Sequence, residues 1–338
     1  MTAASRTGRA VGLALGACGL AGCGPLNVLA RDGVTGSSET SLGWFLVIVS
    51  CAVVAIVTML VLAAWARSRG RRARDDAVFA GSPGLPWITW GGIIIPAIVL
   101  VAAFLFTLGT LDAVAAPERA PAAIVQVIGH QWWWEVRYEG AGPSQAVVTA
   151  NEIHVPVGEP VRLELTTNDV IHSFWVPELA GKRDLIPGQT NTTWIEARHA
   201  GVFGGTCGEY CGAQHAHMQL RVIAEPPGTF QQWLIDQRAP AAQANDPSTA
   251  DGQRVFMTSG CANCHTIRGT GAGGAVGPDL THVASRTTIA AGTLPNTKGN
   301  LMGWIVAAQT IKPGSDMPSI PVPSRELQSL AAYLETLR

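Results

Sequence analysis

Residues 207–218 read CGEYCGAQHAHM, and how that stretch is taken decides whether the domain around it is a metal-loaded β-sandwich or a disulfide-stapled module. Cys207 and Cys211 stand four apart, His215 four further on and Met218 three beyond that, so one loop can wrap these side chains around a single centre. Working outward, the loop runs into MQLRVIAE and is preceded by AIVQVIGHQWWWEVRY, EIHVPVGEPVRLELTT and TTWIEAR, short β-branched and aromatic runs broken by Gly, Pro and Asn-Asp. Such runs, with turn signals and no helical period, predict a sandwich or barrel over residues 112–225. A loop held between strands of a rigid sandwich is a good place to fix ligand geometry.

One further ligand has to come from elsewhere, and NDVIHSFWVP offers His172 at the end of a predicted strand. Thiolates, imidazoles and a thioether form a soft set that favours copper over magnesium, calcium or manganese. A Cys207–Cys211 disulfide is chemically sound outside the cytoplasm but leaves the histidines and methionine unexplained. A Cys2His2 zinc site matches the ligand count and gains nothing from Met218. A one-copper blue site uses a single cysteine. Two thiolates can instead bridge two copper ions that share one unpaired electron, a centre that reorganises little on oxidation and reduction.

At this point HSFWVPEL together with CGEYCGAQHAHM resembles the binuclear copper (CuA) site of cytochrome c oxidase subunit II. The resemblance implies a cupredoxin-like all-β sandwich in which His172, Cys207, Cys211, His215 and Met218 bind through their side chains. It implies that Glu209 ligates through its backbone carbonyl while its carboxylate reaches a magnesium ion shared with the catalytic subunit. The run Gly129 to Trp134, GHQWWW, resembles the family's aromatic patch, whose first tryptophan, Trp132 here, lies over the copper site where electrons arrive. Aromatic residues are favoured in strands anyway, so the same indoles also read as sheet core. His217 is off the ligand pattern, and His130, His154 and His199 have no ligand spacing.

The amino-terminal third explains why 47% of the 338 residues are hydrophobic and only 14% charged. Residues 1–22 carry Arg6, Arg9 and an apolar run, the pattern of an export signal. Leu20-Ala21-Gly22-Cys23 resembles a bacterial lipobox, which implies a lipidated Cys23 at the start of an extracytoplasmic segment, 23–41; an ordinary signal peptide is the plainer alternative. Residues 42–66 and 86–111 each reach the ~20 apolar residues that span a bilayer. Trp44, Trp65, Trp87 and Trp90 mark their interfaces. The arginine-rich loop 67–85 stays cytoplasmic by the positive-inside rule, which puts both ends of the hairpin, and everything after it, on the outer side. One departure stands out: where the family carries a glutamate seven residues before the second helix's proline, Pro96, this chain has Thr89. A net charge of −1 argues against nucleic acid as a partner.

Residues 226–250 read as a short helix and a linker rich in Ala, Pro and Asp. CANCH at 261–265 is the C-x-x-C-H pattern of covalent haem attachment through Cys261 and Cys264, with His265 as axial ligand; a thioredoxin-like pair would explain neither His265 nor the GPDL and KPGSDMP stretches further along. From 251 to 338 the chain resembles the all-α class I cytochromes c. The resemblance implies that the Pro278 carbonyl of GPDL holds the His265 ring and that Met317 of KPGSDMP supplies the opposite axial ligand. SRELQSLAAYLETLR places Leu327, Leu330, Ala331 and Leu334 on one face of a closing helix.

The order hairpin, copper sandwich, cytochrome c resembles subunit II of the caa-type oxidases. That likeness implies a multi-domain protein of the bacterial plasma membrane, partnered by subunit I with its haem a and oxygen site, by subunit III, and by an external donor such as a cytochrome complex or soluble cytochrome c. A copper–haem subunit of another terminal reductase, and a lipid-anchored copper chaperone, remain open on sequence alone.

Overall fold

A computed structural model describes residues 26–30, 32–69, 84–140, 142 and 145–338. The expected signal segment, Cys23 and most of the basic loop lie outside the described residues.

Apolar composition drives the two long helices, Val34–Arg69 and Leu85–Ala115. Their outward faces carry Val54, Met59, Leu100 and Phe104, each more than half exposed, as suits helices long and apolar enough to cross a membrane. The first helix begins before the expected span at 42 because its leading turn is fastened to protein: Gly36 N donates to Leu179 O at 3.0 Å and the Thr35 hydroxyl to the same carbonyl at 2.7 Å. The second helix has a π-helical stretch, Ile88–Ile94, that holds Thr89 and ends just before Pro96. A proline has no N–H to give the preceding turn, so the ladder changes register there. Phe45 and Phe106 pack edge to face between the helices, and Trp194 Nε1 of the sandwich donates to Val114 O at 3.0 Å.

The sandwich comprises β1 Ala123–His130, β2 Trp133–Tyr138, β3 Val147–Ala150, β4 Glu152–Pro156, β5 Val161–Thr167, β6 His172–Val176, β7 Ala180–Leu185, β8 Asn191–Ile195, β9 Gly201–Cys207 and β10 Gln219–Glu225. One sheet runs β3-β2-β1-β5-β8 and the other β4-β10-β9-β6-β7. Period-two patterning supplies the core: in β5, Val161, Leu163 and Leu165 are buried and Arg162 is exposed. The helix Pro227–Arg238 belongs to this domain, since Phe230 and Leu234 are buried in the sandwich core and Trp233 stacks on His154.

The carboxy-terminal domain is helical, apart from four two-residue strands. Its first helix, Pro247–Thr258, starts at a capping box in which the Asp246 side chain accepts from Ser248 N and Thr249 N. It crosses the closing helix Ser324–Thr336 at Gly252, where a Cβ would lie 2.0 Å from Ser329 O. Only glycine allows that approach. Residues 239–246, expected as a linker from their composition, are tied down: Ala241 N donates to Arg268 O at 2.9 Å, and the buried His282 faces the carbonyls of Ala239 and Arg338 with its two ring nitrogens. Backbone chemistry of this kind leaves no compositional mark.

Candidate metal centre and haem crevice

Strand pairing brings the distant histidine to the loop. β6 and β9 are neighbours with Phe174 opposite Cys207, so His172 at the start of β6 lies beside Cys207 at the end of β9. Cys207 N donates to Met218 O at 2.9 Å and closes the loop at its base, and a 3-10 turn over His215–His217 folds it back. The donor atoms converge. Cys207 Sγ lies 3.8 Å from His172 Nδ1 and 3.1 Å from Glu209 O; Cys211 Sγ lies 3.6 Å from His215 Nδ1 and 3.9 Å from Met218 Sδ. His172 Nδ1 and the two sulfurs form a group compact enough to hold a metal ion. Both cysteines are free thiols, and His172 and Met218 are fully buried.

The site is poised to ionise. Hydrogen bonding to the neighbouring Cys211 sulfur, with further help from His172, holds the Cys207 thiol far below the usual thiol range even though burial opposes it. The proton then remains on Cys211, whose own ionisation the adjacent thiolate and burial both resist. A cation between the sulfurs removes that opposition. The donor set has sulfur, imidazole and carbonyl oxygen, while the Glu209 carboxylate points to the surface, 3.0 Å from Lys182 Nζ. This fits copper and does not fit a hard cation within the loop.

A supporting layer orients the centre. Asp169 Oδ1 accepts from His172 Nε2 at 2.8 Å, which leaves the Nδ1 lone pair facing the sulfurs. Burial works against the Asp169 carboxylate, but hydrogen bonds from His172, Val170 N and Gln131 N lower it to about 2. Gly129 passes so close over His172 that a Cβ would lie 2.7 Å from its Cδ2. Trp132, 9% exposed, donates its indole N–H to Cys211 O at 2.9 Å, and Gln131 Nε2 donates to the same oxygen at 2.8 Å.

The second candidate site is a cavity in the carboxy-terminal domain lined by Cys261, Cys264, His265, Leu301, Trp304 and Met317. His265 Nδ1 donates to Pro278 O at 2.8 Å, so the ring's other nitrogen is free. Burial holds the imidazole below its usual range, so it is neutral, as a ligand must be. Arg286 also lines this cavity, and among the described residues its buried Nε has no hydrogen-bond partner. An apolar slot with two free thiols, a neutral imidazole, a thioether and an unsatisfied guanidinium N–H fits a porphyrin that carries carboxylates. The remaining wall is the sandwich itself: Gln131, Trp132, Trp133 and Asn151.

Other singled-out residues stand apart. His130 pairs with Glu135 and stacks on Trp133; His154 pairs with Glu225; His199 and His217 are exposed; Cys51 is exposed on the first helix. Sequence reading missed Asp169, Arg286 and Lys312. Asp169 is visible in retrospect as an acid three residues before a ligand-type histidine, but nothing in the sequence aims the other two.

Known proteins resemble this chain along most of its length. The family profile described as cytochrome c oxidase subunit II, periplasmic domain, matches residues 140–225, and the cytochrome c profile matches residues 249–338. Cytochrome c oxidase subunit 2 of Alkalihalophilus pseudofirmus is 38% identical over 304 residues, covering 86% of each chain. Its counterpart in Bacillus subtilis is 28% identical over 341 residues, covering 94% of each. The crystal structure of the periplasmic domain of subunit II of cytochrome oxidase from Bradyrhizobium japonicum is 29% identical, covers 36% of this chain and 96% of that one, and superposes with a TM-score of 0.33.

Proposed function

Because the chain belongs to the cytochrome c oxidase subunit II family and runs on from its copper domain into a cytochrome c domain, we propose that it feeds electrons into a caa-type oxidase. The order is external donor, its own covalent haem, a binuclear copper centre, then haem a of subunit I. The observation that carries this reading is that the haem-type cavity and the copper-type loop meet at the neighbours Gln131 and Trp132, which line the first and hydrogen-bond the Cys211 carbonyl of the second. A haem c and a copper pair, when bound, supply one-electron carriers, and the chain's residues do the rest.

His172, Cys207, Cys211, His215 and Met218 would hold the copper ions, with the Glu209 carbonyl completing the set. Asp169 fixes the His172 tautomer. Cys261 and Cys264 would anchor the haem and His265 and Met317 would hold its iron, so that the group would supply electron transfer rather than oxygen chemistry. Pro278 orients His265. Reduction of oxygen to water and proton pumping belong to subunit I, with subunit III as a further partner. The exposed Glu209 carboxylate is available to a magnesium ion shared across that interface. Thr89, in place of the family glutamate, argues for a proton route elsewhere in the complex. The basic loop after the first helix favours the bacterial plasma membrane with both cofactor domains outside, and Cys23 is the proposed lipidation site.

Purification of the intact membrane complex with a full metal and haem count tests the reading. The expected result is a copper pair and one covalent haem on this chain, with haem a and a further copper in its partner. Zinc, or a single copper per fully loaded chain, overturns it, and a partner without haem a reassigns the reductase.

A further inference from the structure

Lys312 stands five residues before Met317, yet its side chain leaves the haem domain. It is 3% exposed, and its ammonium donates to Trp132 O at 2.7 Å, His217 O at 2.7 Å and Ala290 O at 3.2 Å. An ammonium has three protons, and each finds a carbonyl. Two of those carbonyls belong to the sandwich, one beside the copper loop's capping indole and one within the loop; the third belongs to the haem domain. Burial pushes the ammonium down to about 7. Among the described residues no carboxylate enters this cage, which makes the buried lysine expensive to keep, although charged groups bind elsewhere in the interface, with Arg221 Nη1 donating to Thr287 Oγ1 at 3.2 Å. Gln214 Nε2 donates to Pro313 O at 2.8 Å, Gln219 N to Ala291 O at 3.0 Å, and Thr287 N to Glu152 Oε1 at 2.7 Å.

We propose that Lys312 is the positioning residue that registers the haem domain on the copper domain, completing a hydrogen-bonded bridge from the methionine loop through Trp132 to Cys211. The bridge is continuous: Lys312 Nζ donates to Trp132 O, and Trp132 Nε1 donates to Cys211 O. The haem domain therefore works as a docked partner rather than a searching one. The inference rests on the reading of the haem as donor to the copper pair. In that step one electron leaves ferrous haem, which becomes ferric, and the oxidised copper pair takes it up.

The test uses the full complex with Lys312→Met, which keeps the stem and loses the donors, and Lys312→Gln, which keeps one shorter donor group. Two rates are followed after rapid mixing with reduced donor, donor to haem and haem to copper, alongside hydrogen exchange at residues 214–217 and 290–292. In Lys312→Met, haem-to-copper transfer is expected to slow about tenfold or more, with exchange protection lost on both segments. Donor-to-haem transfer, haem absorption and the copper resonance should stay unchanged, and Lys312→Gln should fall between. A merely structural role would disturb the cofactor spectra and not split the two rates. Native protection and an unslowed second rate in either variant overturn the proposal. Absence of haem-to-copper transfer in the unsubstituted complex overturns the functional reading instead, and the exchange data still decide whether Lys312 sets the docking.

Discussion

The indole nitrogen of Trp132 donates to the carbonyl oxygen of Cys211 at 2.9 Å, from a ring that also walls the haem-type cavity. The side chain of Gln131 makes a parallel link, lining the same cavity and donating to the same carbonyl at 2.8 Å. Trp132→Phe keeps an aromatic ring in the wall and removes the N–H, a loss of about 0.5–1.5 kcal/mol of hydrogen bonding. Gln131 still satisfies the carbonyl, so the copper loop should keep its geometry. The expected outcome is haem-to-copper transfer slowed about tenfold with the copper resonance nearly unchanged, measured by stopped flow and paramagnetic resonance. A rate equal to that of the unsubstituted chain would remove Trp132 from the route.

Asp169 acts one layer out. Its carboxylate accepts from His172 Nε2 at 2.8 Å and from Gln131 N at 2.6 Å. In Asp169→Asn the amide can present its NH2 to Nε2, which favours the tautomer with the proton on Nδ1, the nitrogen facing Cys207. Copper affinity should fall about 10–100-fold, as for other lost partners of metal-bound histidines. Competition against a chelator measures it. Unchanged retention would show that strand packing alone orients His172.

The haem crevice offers a cleaner separation of attachment from ligation. Met317→Ala removes the proposed second iron ligand and leaves Cys261, Cys264 and the His265–Pro278 bond untouched. The haem should stay covalently bound through denaturing electrophoresis, lose its methionine–iron charge-transfer band, and drop in reduction potential on the order of 0.1 V or more. An intact band would place the sixth ligand elsewhere.

Much of this was legible in the chain itself, and the reason is spacing. Loop ligands at 207–218 and the haem motif at 261–265 are local, so their order fixes who can meet whom. His172 was reachable because it sits at the end of an apolar strand run. The parts that escaped are made by tertiary placement. Arg286 stands out only through an Nε with no hydrogen-bond partner among the described residues, and Lys312 only through carbonyls from three separate segments. The stretch 239–246 read as slack because composition reports propensity, whereas its anchoring runs through backbone groups that every residue carries.

Gly252 tests the packing of the haem domain independently of its chemistry. A Cβ there would lie 2.0 Å from Ser329 O, a backbone atom that no rotamer change can move. Gly252→Ala should push the two crossing helices apart and cost about 1–3 kcal/mol, lowering the thermal midpoint of the haem domain while the copper resonance stays as it was. Calorimetry with both chromophores followed separately would show it. A midpoint at or above the original would mean the helices slide without loss.

The copper assignment itself is exposed to one substitution. Cys207 Sγ is the donor nearest the Glu209 carbonyl, and its partner Cys211 Sγ is the one nearest His215 and Met218. The other donors thus flank the two sulfurs, which with His172 are close enough together to share metal, and the proposed centre has both thiolates bridging a pair of copper ions. Cys207→Ser replaces a soft bridging thiolate with a hard, weakly acidic hydroxyl. Copper should fall to one ion or none per chain, and the mixed-valence resonance should disappear. A single-copper variant would show ordinary one-ion hyperfine splitting at most. A delocalised two-copper spectrum surviving the substitution would mean that Cys211 alone can bridge, and the pairing of the two sulfurs around a shared charge would have to be given up.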